Sequence, residues 1–153
     1  MWSRQVADAA VHLVRGAIPR IGNAVEIVQV DDDAAGPWPV PARAHFIEAL
    51  AALEIEANVI DTESTGTRVP VLIAAFADSV AGKTEPGFSR ASRDRIERAA
   101  ATAHEQKRES LVVLFSHPRH SAQLTRTPNV LCAWGGEKPM QAAAARVIAR
   151  ASR

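Results

Sequence analysis

Residues 111–149 have the sequence LVVLFSHPRHSAQLTRTPNVLCAWGGEKPMQAAAARVIA. The segment begins with a continuous apolar run at 111–115, and a second run at 129–134 ends before two glycines. Residues 140–148 then form an alanine-rich stretch that predicts a helix. Two short apolar runs without polar alternation, separated by a polar crossover and followed by a helix, are typical of neighbouring parallel strands buried on both faces. This stretch therefore predicts an α/β fold with a parallel sheet.

The upstream sequence supplies the other strands of such a sheet. β-Branched and apolar residues predict a first strand at 25–30, a short edge strand at 57–60 and a central strand at 70–77. A helix is predicted at 42–53, and a second one after Ser92, whose side chain can cap it. Strands that alternate with helices at this spacing indicate a parallel sheet. We therefore predict a three-layer α/β/α sandwich with a mostly parallel five-stranded sheet of order 2-1-3-4-5.

An additional helix is predicted in front of this sheet. Apolar side chains share one helical stripe at Trp2, Val6, Ala9, Ala10 and Leu13. Ser3 is placed to cap this helix, and Gly16 to end it. A five-stranded α/β domain usually begins at its first strand, so a leading helix is expected where the chain continues upstream into another domain.

The composition is that of one globular domain, assigned to residues 1–153. The chain is 47% hydrophobic and 23% charged, and its 18 basic and 17 acidic residues nearly cancel to a net charge of +1. This balance gives no basis for binding nucleic acid or an anionic membrane. The apolar runs are too short to span a membrane, and the first residues do not form a signal peptide, so a complete chain would be cytoplasmic. The lone Cys132 falls inside a predicted strand and is expected to be a core residue.

Candidate functional residues follow the predicted strands, because ligands of open parallel sheets bind beyond the carboxyl ends of the strands. These positions are 31–33, 78–79, 116–117 and 135–138. The three aspartates at 31–33 could bind a divalent cation, but such runs are commonly solvated loops. His117 and His120 lack the further ligands of a zinc site and are interpreted as surface histidines. Ser116 lacks the G-x-S-x-G setting of a nucleophile. We therefore predict no catalytic residue, no metal site and no cofactor.

A phospho-receiver domain is the alternative function, based on Asp32, Asp78, Ser116 and Lys138. In a receiver, carboxylates bind magnesium while a hydroxyl and a lysine contact the phosphoryl oxygens. The proline-rich segment after the first strand, and the two glycines before Lys138, depart from that pattern. A stand-alone small α/β binding protein is a third, less specific possibility.

Several segments together resemble a known family. They are 112–115, 117–118, 130–134 and 141–145, with residues 6–16 (VADAAVHLVRG) in the place of a leading helix. Their order and spacing resemble the C-terminal α/β domain of family 3 glycoside hydrolases, in the β-N-acetylhexosaminidase and β-glucosidase group. In that family a helix leads from the catalytic barrel into this domain.

The resemblance implies an accessory domain rather than a complete enzyme. Family 3 hydrolases carry their nucleophilic aspartate in an N-terminal barrel, which this sequence does not contain. The implied partners are that barrel and a carbohydrate, and the isolated chain is expected to be inactive because glycoside cleavage needs two carboxyl groups. Glu85, Ser116 and His117 are the predicted substrate contacts.

Overall fold

A six-stranded sheet forms the centre of the protein, and the computed structural model describes residues 4–32, 42–61, 67–77 and 86–152. The strands are β1 His12–Arg15, β2 Ala24–Asp31, β3 Glu56–Ile60, β4 Val71–Phe76, β5 Ser110–Phe115 and β6 Val130–Cys132. The helices are α1 Arg4–Ala10, α2 Ala44–Ala51, α3 Arg90–Glu105 and α4 Lys138–Ala151, with a 3₁₀ helix at Pro118–Gln123. The strand order is β1-β6-β5-β4-β2-β3, and all pairs are parallel except β1 with β6.

The predicted α/β/α sandwich is confirmed, and its strand count is corrected. The five predicted strands correspond to β2–β6, with the predicted edge strand at one end of the sheet and the predicted central strand between β2 and β5. The sixth strand is β1, which extends the sheet beyond β6 and gives it one antiparallel edge. The sheet is therefore mostly parallel, but it is not the five-stranded sheet that the sequence predicted.

The leading helix is shorter than predicted, because residues 12–15 form β1 instead. The ring of His12 contacts the carbonyl oxygen of Ala10, the last helical residue, at 3.0 Å. Arg15 then donates a 2.6 Å hydrogen bond from Nη2 to the carbonyl oxygen of Leu124, which holds the strand beside β6. The predicted apolar stripe is also wrong among the described residues: Val6 is 48% exposed and Leu13 41%, whereas Ala7 is buried. Pairing with β6 has overridden the local helical pattern.

Gly16 ends β1 rather than the helix. Its φ of +74° is one that L-residues rarely adopt, and a Cβ there would lie 2.1 Å from Oδ1 of Asn129. The same oxygen accepts a 2.8 Å hydrogen bond from the backbone N–H of Ala17. Glycine is therefore required where the chain leaves the strand.

Two hydrophobic clusters cover the two faces of the sheet, as alternation along each strand requires. On β4, Leu72, Ala74 and Phe76 belong to the cluster that packs against α1, α2 and α4. Val71, Ile73 and Ala75 belong to the cluster that packs against α3. Every residue of β4 and β5 is buried, so the continuous apolar runs are explained by burial on both faces.

The cap of α3 differs from the prediction, and the predicted cap Ser3 of the leading helix lies outside the described residues. α3 begins at Arg90, and its cap is Ser89 rather than Ser92. The Ser89 side chain accepts a hydrogen bond from the backbone N–H of Ser92, so the two serines are partners in the cap. The Ser89 hydroxyl therefore satisfies one of the free N–H groups of the first turn.

The amino ends of the central strands are closed by a buried ion pair. Arg108 and Glu26 are in contact, and both side chains are only 3% exposed. Arg108 also donates a 2.8 Å hydrogen bond from Nε to the carbonyl oxygen of Val69, and Thr67 donates one to Glu26. The carboxyl ends of the parallel strands are therefore the end of the sheet to search for a ligand site.

Cys132 is buried on β6, as predicted for a core residue. Its Sγ donates a long hydrogen bond of 3.4 Å to the carbonyl oxygen of Ser116. Burial raises the pKa of the thiol, although a backbone hydrogen bond from Trp134 acts in the opposite direction. The thiol is thus a packing group rather than a nucleophile.

Candidate functional site

The described part of the carboxyl rim consists mainly of the segments that follow β5 and β6. Ser116 and His117 follow β5, and residues 133–137 follow β6. The predicted positions Asp33, Asp78, Ser79 and Glu85 lie outside the described residues. The site can therefore be built from the two segments at the β6 end of the sheet.

Ser116 faces the protein interior and is 1% exposed. Its hydroxyl donates a 2.5 Å hydrogen bond to the carbonyl oxygen of Ala77 and lies 2.6 Å from Nδ1 of His120. The hydroxyl has only one hydrogen, which it donates to Ala77, so His120 Nδ1 is protonated and donates to the Ser116 oxygen. His120 Nε2 then accepts from Arg119 Nε at 3.3 Å, which describes a neutral ring. The role of Ser116 in substrate contact stays a prediction that this inward placement does not support.

His120 is not the surface histidine that the sequence predicted, because only 3% of it is exposed. The 3₁₀ helix at Pro118–Gln123 carries it back over Ser116, four residues earlier. Proline at the start of that helix was the sequence signal for the turn. The Ser116–His120 pair lies in the segment after β5, and the hydrogen bond from Ser116 to Ala77 joins it to the segment after β4.

His117 is exposed, as predicted, and its ring stands edge-on to the ring of Trp134. The two ring centroids are 5.3 Å apart at an interplanar angle of 70°. Nδ1 of His117 accepts a 3.2 Å hydrogen bond from the backbone N–H of Arg119. In the neutral ring Nε2 therefore carries the proton and is a hydrogen-bond donor.

Trp134 occupies an unusual turn at the end of β6. Its φ is +62°, and the backbone N–H of Gly135 donates a 2.7 Å hydrogen bond to the carbonyl oxygen of Ala133. A bond across a single residue with positive φ defines a γ-turn, a rare and strained conformation for a bulky residue. The turn leaves Trp134 48% exposed, although the sequence had placed it in a buried strand.

Beside Trp134 lies a cavity of about 580 Å³ between α1, β1 and the start of α4. The part of its lining that the structure describes is apolar except for one imidazole and one carboxylate. The lining residues are Ala9, Ala10, His12, Trp134, Gly135, Glu137 and Met140. The ring of His12 lies 6.2 Å from that of Trp134, centroid to centroid. Sequence reasoning missed this site because it assigned His12 to a helix and Trp134 to a strand interior.

Glu137 supplies the carboxylate of this cavity. The residue is exposed, and its side chain makes no hydrogen bond or ion pair within the described part of the chain. It is the residue before α4 but makes no side-chain capping bond. A Cβ on Gly135 would lie 2.3 Å from Oε2 of Glu137, so the glycine allows the carboxylate to fold over the turn.

The aspartates after β2 are engaged in structural contacts on opposite sides of the sheet. Asp31 accepts a 2.9 Å hydrogen bond from Nε of Arg43, whose guanidinium lies 4.3 Å from the centroid of the Phe76 ring. Asp32 accepts a hydrogen bond from the backbone N–H of Ser89, the cap of α3. Within the described ranges, no three His, Cys, Asp or Glu side chains are grouped closely enough to hold a metal ion.

The receiver alternative receives no support from the residues that the structure describes. Asp32 is hydrogen-bonded to the cap of α3, and the Ser116 hydroxyl is buried against Ala77 and His120. Lys138 lines a separate groove with residues of α2 and α4, including His45 and Arg146. Asp32 and Ser116 are therefore already bound within the protein and Lys138 lies in a different groove, while Asp78 lies outside the described residues.

No protein-family model matches this sequence, and no curated protein matches it either. Solved structures do match its fold. A family 3 glycoside hydrolase, a β-N-acetylglucosaminidase from Paenibacillus sp. str. FPU-7, superposes with a TM-score of 0.70 over 96% of this chain at 14% identity. A β-glucoside phosphorylase, BglX, superposes with a TM-score of 0.67 over 95% of this chain at 13% identity. A β-glucosidase from Erythrobacter marinus gives 0.61 over 95% at 10% identity.

The chain has the fold of a domain found in family 3 glycoside hydrolases. It spans only 29% of the Paenibacillus enzyme, 28% of the phosphorylase and 27% of the Erythrobacter enzyme. The match therefore concerns one domain of much longer proteins. Among the described residues no helix is long and apolar enough to cross a membrane.

Proposed function

We propose that this chain is the accessory α/β domain of a family 3 glycoside hydrolase, which packs on a catalytic barrel and does not cleave glycosides alone. The observation that carries the proposal is the pattern of coverage. The solved structures superpose on 95–96% of this chain, but the chain spans less than a third of either protein. In those proteins a domain of this fold is accompanied by a larger part of the same chain.

An uncovered apolar surface supports packing on a partner domain. Four of the five large exposed apolar side chains in the described residues are Val6, Leu13, Val14 and Trp134. They belong to α1, to β1 and to the segment after β6, the strand that β1 pairs with. All four residues of β1 are exposed, and it is an edge strand of the sheet. Exposed apolar edges of this kind mark interaction surfaces.

The finer part of the proposal concerns the substrate. The matching proteins are a β-N-acetylglucosaminidase, a β-glucoside phosphorylase and a β-glucosidase. The names of all three proteins refer to a β-linked glucosyl or N-acetylglucosaminyl sugar. We propose the β-N-acetylhexosaminidase type for the parent enzyme, in line with the sequence resemblance. Glu85 and His117 are the proposed substrate contacts, and Ser116 is the weaker third candidate because its hydroxyl faces inward.

The test is docking in trans. The barrel of a family 3 hydrolase encoded in the same genome is purified separately, and its binding to this chain is measured by calorimetry. Burying a leucine or valine side chain is worth about 1.5–3 kcal/mol, so the double variant Leu13→Ser/Val14→Ser should weaken binding about tenfold or more. Val59→Ser is the matched control, because Val59 is 56% exposed on β3 at the opposite edge of the sheet.

Two results would count against this function. If no barrel of the source genome binds the chain, the accessory role is wrong. If the barrel binds and Val59→Ser weakens binding while the β1 variant does not, the accessory role stands and the docking surface is at the other edge.

A further inference from the structure

The cavity beside Trp134 has the position and size of a small-molecule site. It lies at the carboxyl end of β6, where ligands of parallel sheets bind, and it measures about 580 Å³. Ligand pockets are commonly about 300–1,000 Å³ and are mostly apolar, with a few placed polar groups. Here Ala9, Ala10 and Met140 supply the apolar part.

The aromatic wall of the cavity is held in a strained conformation. Trp134 has a φ of +62° and is the central residue of a γ-turn. Strain of this kind persists only where the surroundings impose it, and it concentrates at ligand-binding sites. A buried tryptophan could have continued β6 without that strain. The turn instead places the ring, half exposed, at the side of the cavity.

The polar groups of the lining are hydrogen-bond acceptors. The carbonyl oxygen of Ala10 can only accept, so the His12 Nδ1 that lies 3.0 Å from it carries the proton, and Nε2 is left as an acceptor. The carboxylate of Glu137 also only accepts, and no described residue engages it. A ligand that satisfies both groups needs two separate hydrogen-bond donors, and it needs an apolar face to contact the apolar part of the lining.

The charge of the lining selects against anions. Among the lining residues that the structure describes, Glu137 is the only acidic one, and none is a lysine or an arginine. A phosphate or carboxylate ligand would therefore meet repulsion without compensation. A compact organic cation would satisfy the carboxylate but would place its donors at one point only.

We infer that this cavity binds a single neutral pyranose ring. The apolar C–H face of the sugar packs on Trp134, and its hydroxyl groups donate to the Glu137 carboxylate and to Nε2 of His12. The choice of a sugar among neutral ring polyols rests on the proposed function, whereas the site itself rests on the lining. This ring would lie after β6, the last parallel strand, and away from the inward-facing hydroxyl of Ser116.

The experiment is an NMR titration of the purified chain with methyl β-D-glucopyranoside and with N-acetylglucosamine. Both should bind with a dissociation constant on the order of millimolar, with saturable shifts at Ala10, Trp134 and Gly135.

Trp134→Gly should abolish binding, and it should fold because a positive φ suits glycine. Glu137→Gln should weaken binding about tenfold, because the sugar loses a hydrogen bond to a charged acceptor. The variant should leave α4 intact, because the Glu137 side chain makes no capping hydrogen bond. Glu105→Gln, an exposed change at the end of α3, is the matched control and should bind like the wild type.

Three outcomes would overturn the inference. The first is the absence of saturable shifts up to about 100 mM sugar, a concentration far above a millimolar dissociation constant. The second is unchanged binding by a folded Trp134→Gly variant. The third is binding of glucosamine or tetramethylammonium but of neither neutral sugar. Docking to the barrel reports separately on the proposed function. Sugar binding without docking would leave the site and identify a stand-alone binding protein, and docking without sugar binding would remove only this inference.

Discussion

Nε of Arg146 on α4 donates a 2.8 Å hydrogen bond to Oδ1 of Asp8 on α1, across 138 residues of sequence. Nη2 of Arg150 donates to the other oxygen of Asp8 at 2.9 Å. The side chains of Asp8 and Arg146 are only 13% and 16% exposed. This contact fixes α1 against α4, and α1 supplies Ala9 and Ala10 to the cavity. The Asp8 carboxylate therefore helps to hold one wall of the cavity in place.

Asp8→Asn should destabilise the protein by about 2 kcal/mol, because it leaves the mostly buried guanidinium of Arg146 without its charged partner, whereas Arg150 is exposed and adds little. Chemical denaturation of the two proteins at neutral pH measures the difference. Asp94→Asn is the control, since the Arg90–Asp94 pair is solvent-exposed and pairs of this kind contribute little. Equal stability of Asp8→Asn and the wild type would show that α1 is held by its apolar contacts alone.

The same carboxylate predicts how stability depends on pH. Burial by itself raises the pKa of Asp8, but the hydrogen bonds and charges of Arg146 and Arg150 outweigh it and hold the pKa below its usual range. A group with a lowered pKa in the folded state contributes stability that is present above the unfolded-state pKa, about 3.9 for aspartate, and is lost as pH falls through the folded-state pKa. The stability difference between wild type and Asp8→Asn should therefore be constant from pH 7 to about pH 5 and shrink below about pH 4. A difference that grows on acidification would contradict this.

The strands at the centre of the sheet could be predicted from sequence because their burial is complete. All residues of β4 and β5 are buried, and all except Ser110 are apolar, as burial on both faces of the sheet requires. β1 could not be predicted in the same way. All four residues of His12–Arg15 are exposed, and the strand's partner β6 lies more than a hundred residues later. Its conformation is set by a long-range contact that local periodicity does not report.

The rim could be located from sequence, but the contacts on it could not. The sequence identified the segments after β5 and β6, and both contribute to the described rim. It did not show that Ser116 and His120 would turn inward, since burial of a short polar segment depends on the loops around it. Trp134 followed by two glycines was a signal for a chain turn at the strand end, and it was interpreted as the end of a buried run.

Gln141→Leu should be strongly destabilising, although glutamine and leucine are similar in volume. The Gln141 amide is fully buried, with Oε1 accepting from the backbone N–H of Phe46 and Nε2 donating to the carbonyl oxygens of Ala42 and Gly136. Leucine would leave these backbone groups unsatisfied, at a cost of about 3 kcal/mol in the free energy of unfolding.

Denaturation of Gln141→Leu and of Ala142→Leu, its neighbour on α4, measures this effect. Ala142 is partly exposed and lines the groove between α2 and α4, so a leucine there should be better tolerated. If Gln141→Leu were as stable as the wild type, the three hydrogen bonds would not be important to the packing of α4 on α2.

At position 134 glycine should be more stable than alanine, the reverse of the usual order in strands and helices. Both Trp134→Gly and Trp134→Ala lose the ring, but only alanine retains the penalty of a φ near +62°. The penalty for L-residues in this region is about 1–2 kcal/mol, so the glycine variant should exceed the alanine variant by about 1 kcal/mol. At Val59, on β3, the order should be the ordinary one, with glycine less stable. Alanine more stable than glycine at 134 would show that the turn relaxes once the ring is removed.

The purified chain should not hydrolyse chromogenic β-N-acetylglucosaminides or β-glucosides above the rate in buffer. Glycoside cleavage needs two carboxyl groups across one scissile bond. Of the described rim carboxylates, Asp31 is paired with Arg43, Asp32 is bound to the cap of α3, and Glu137 stands alone beside Trp134. Asp31 and Asp32 engage elements on opposite sides of the sheet, so they do not form a catalytic pair. Absence of a nucleophile or of an acid/base group costs orders of magnitude in rate.

The assay compares the wild type with Glu85→Ala and Glu137→Gln. Turnover well above background that disappears in either variant would establish a complete active site in this chain and contradict the accessory role.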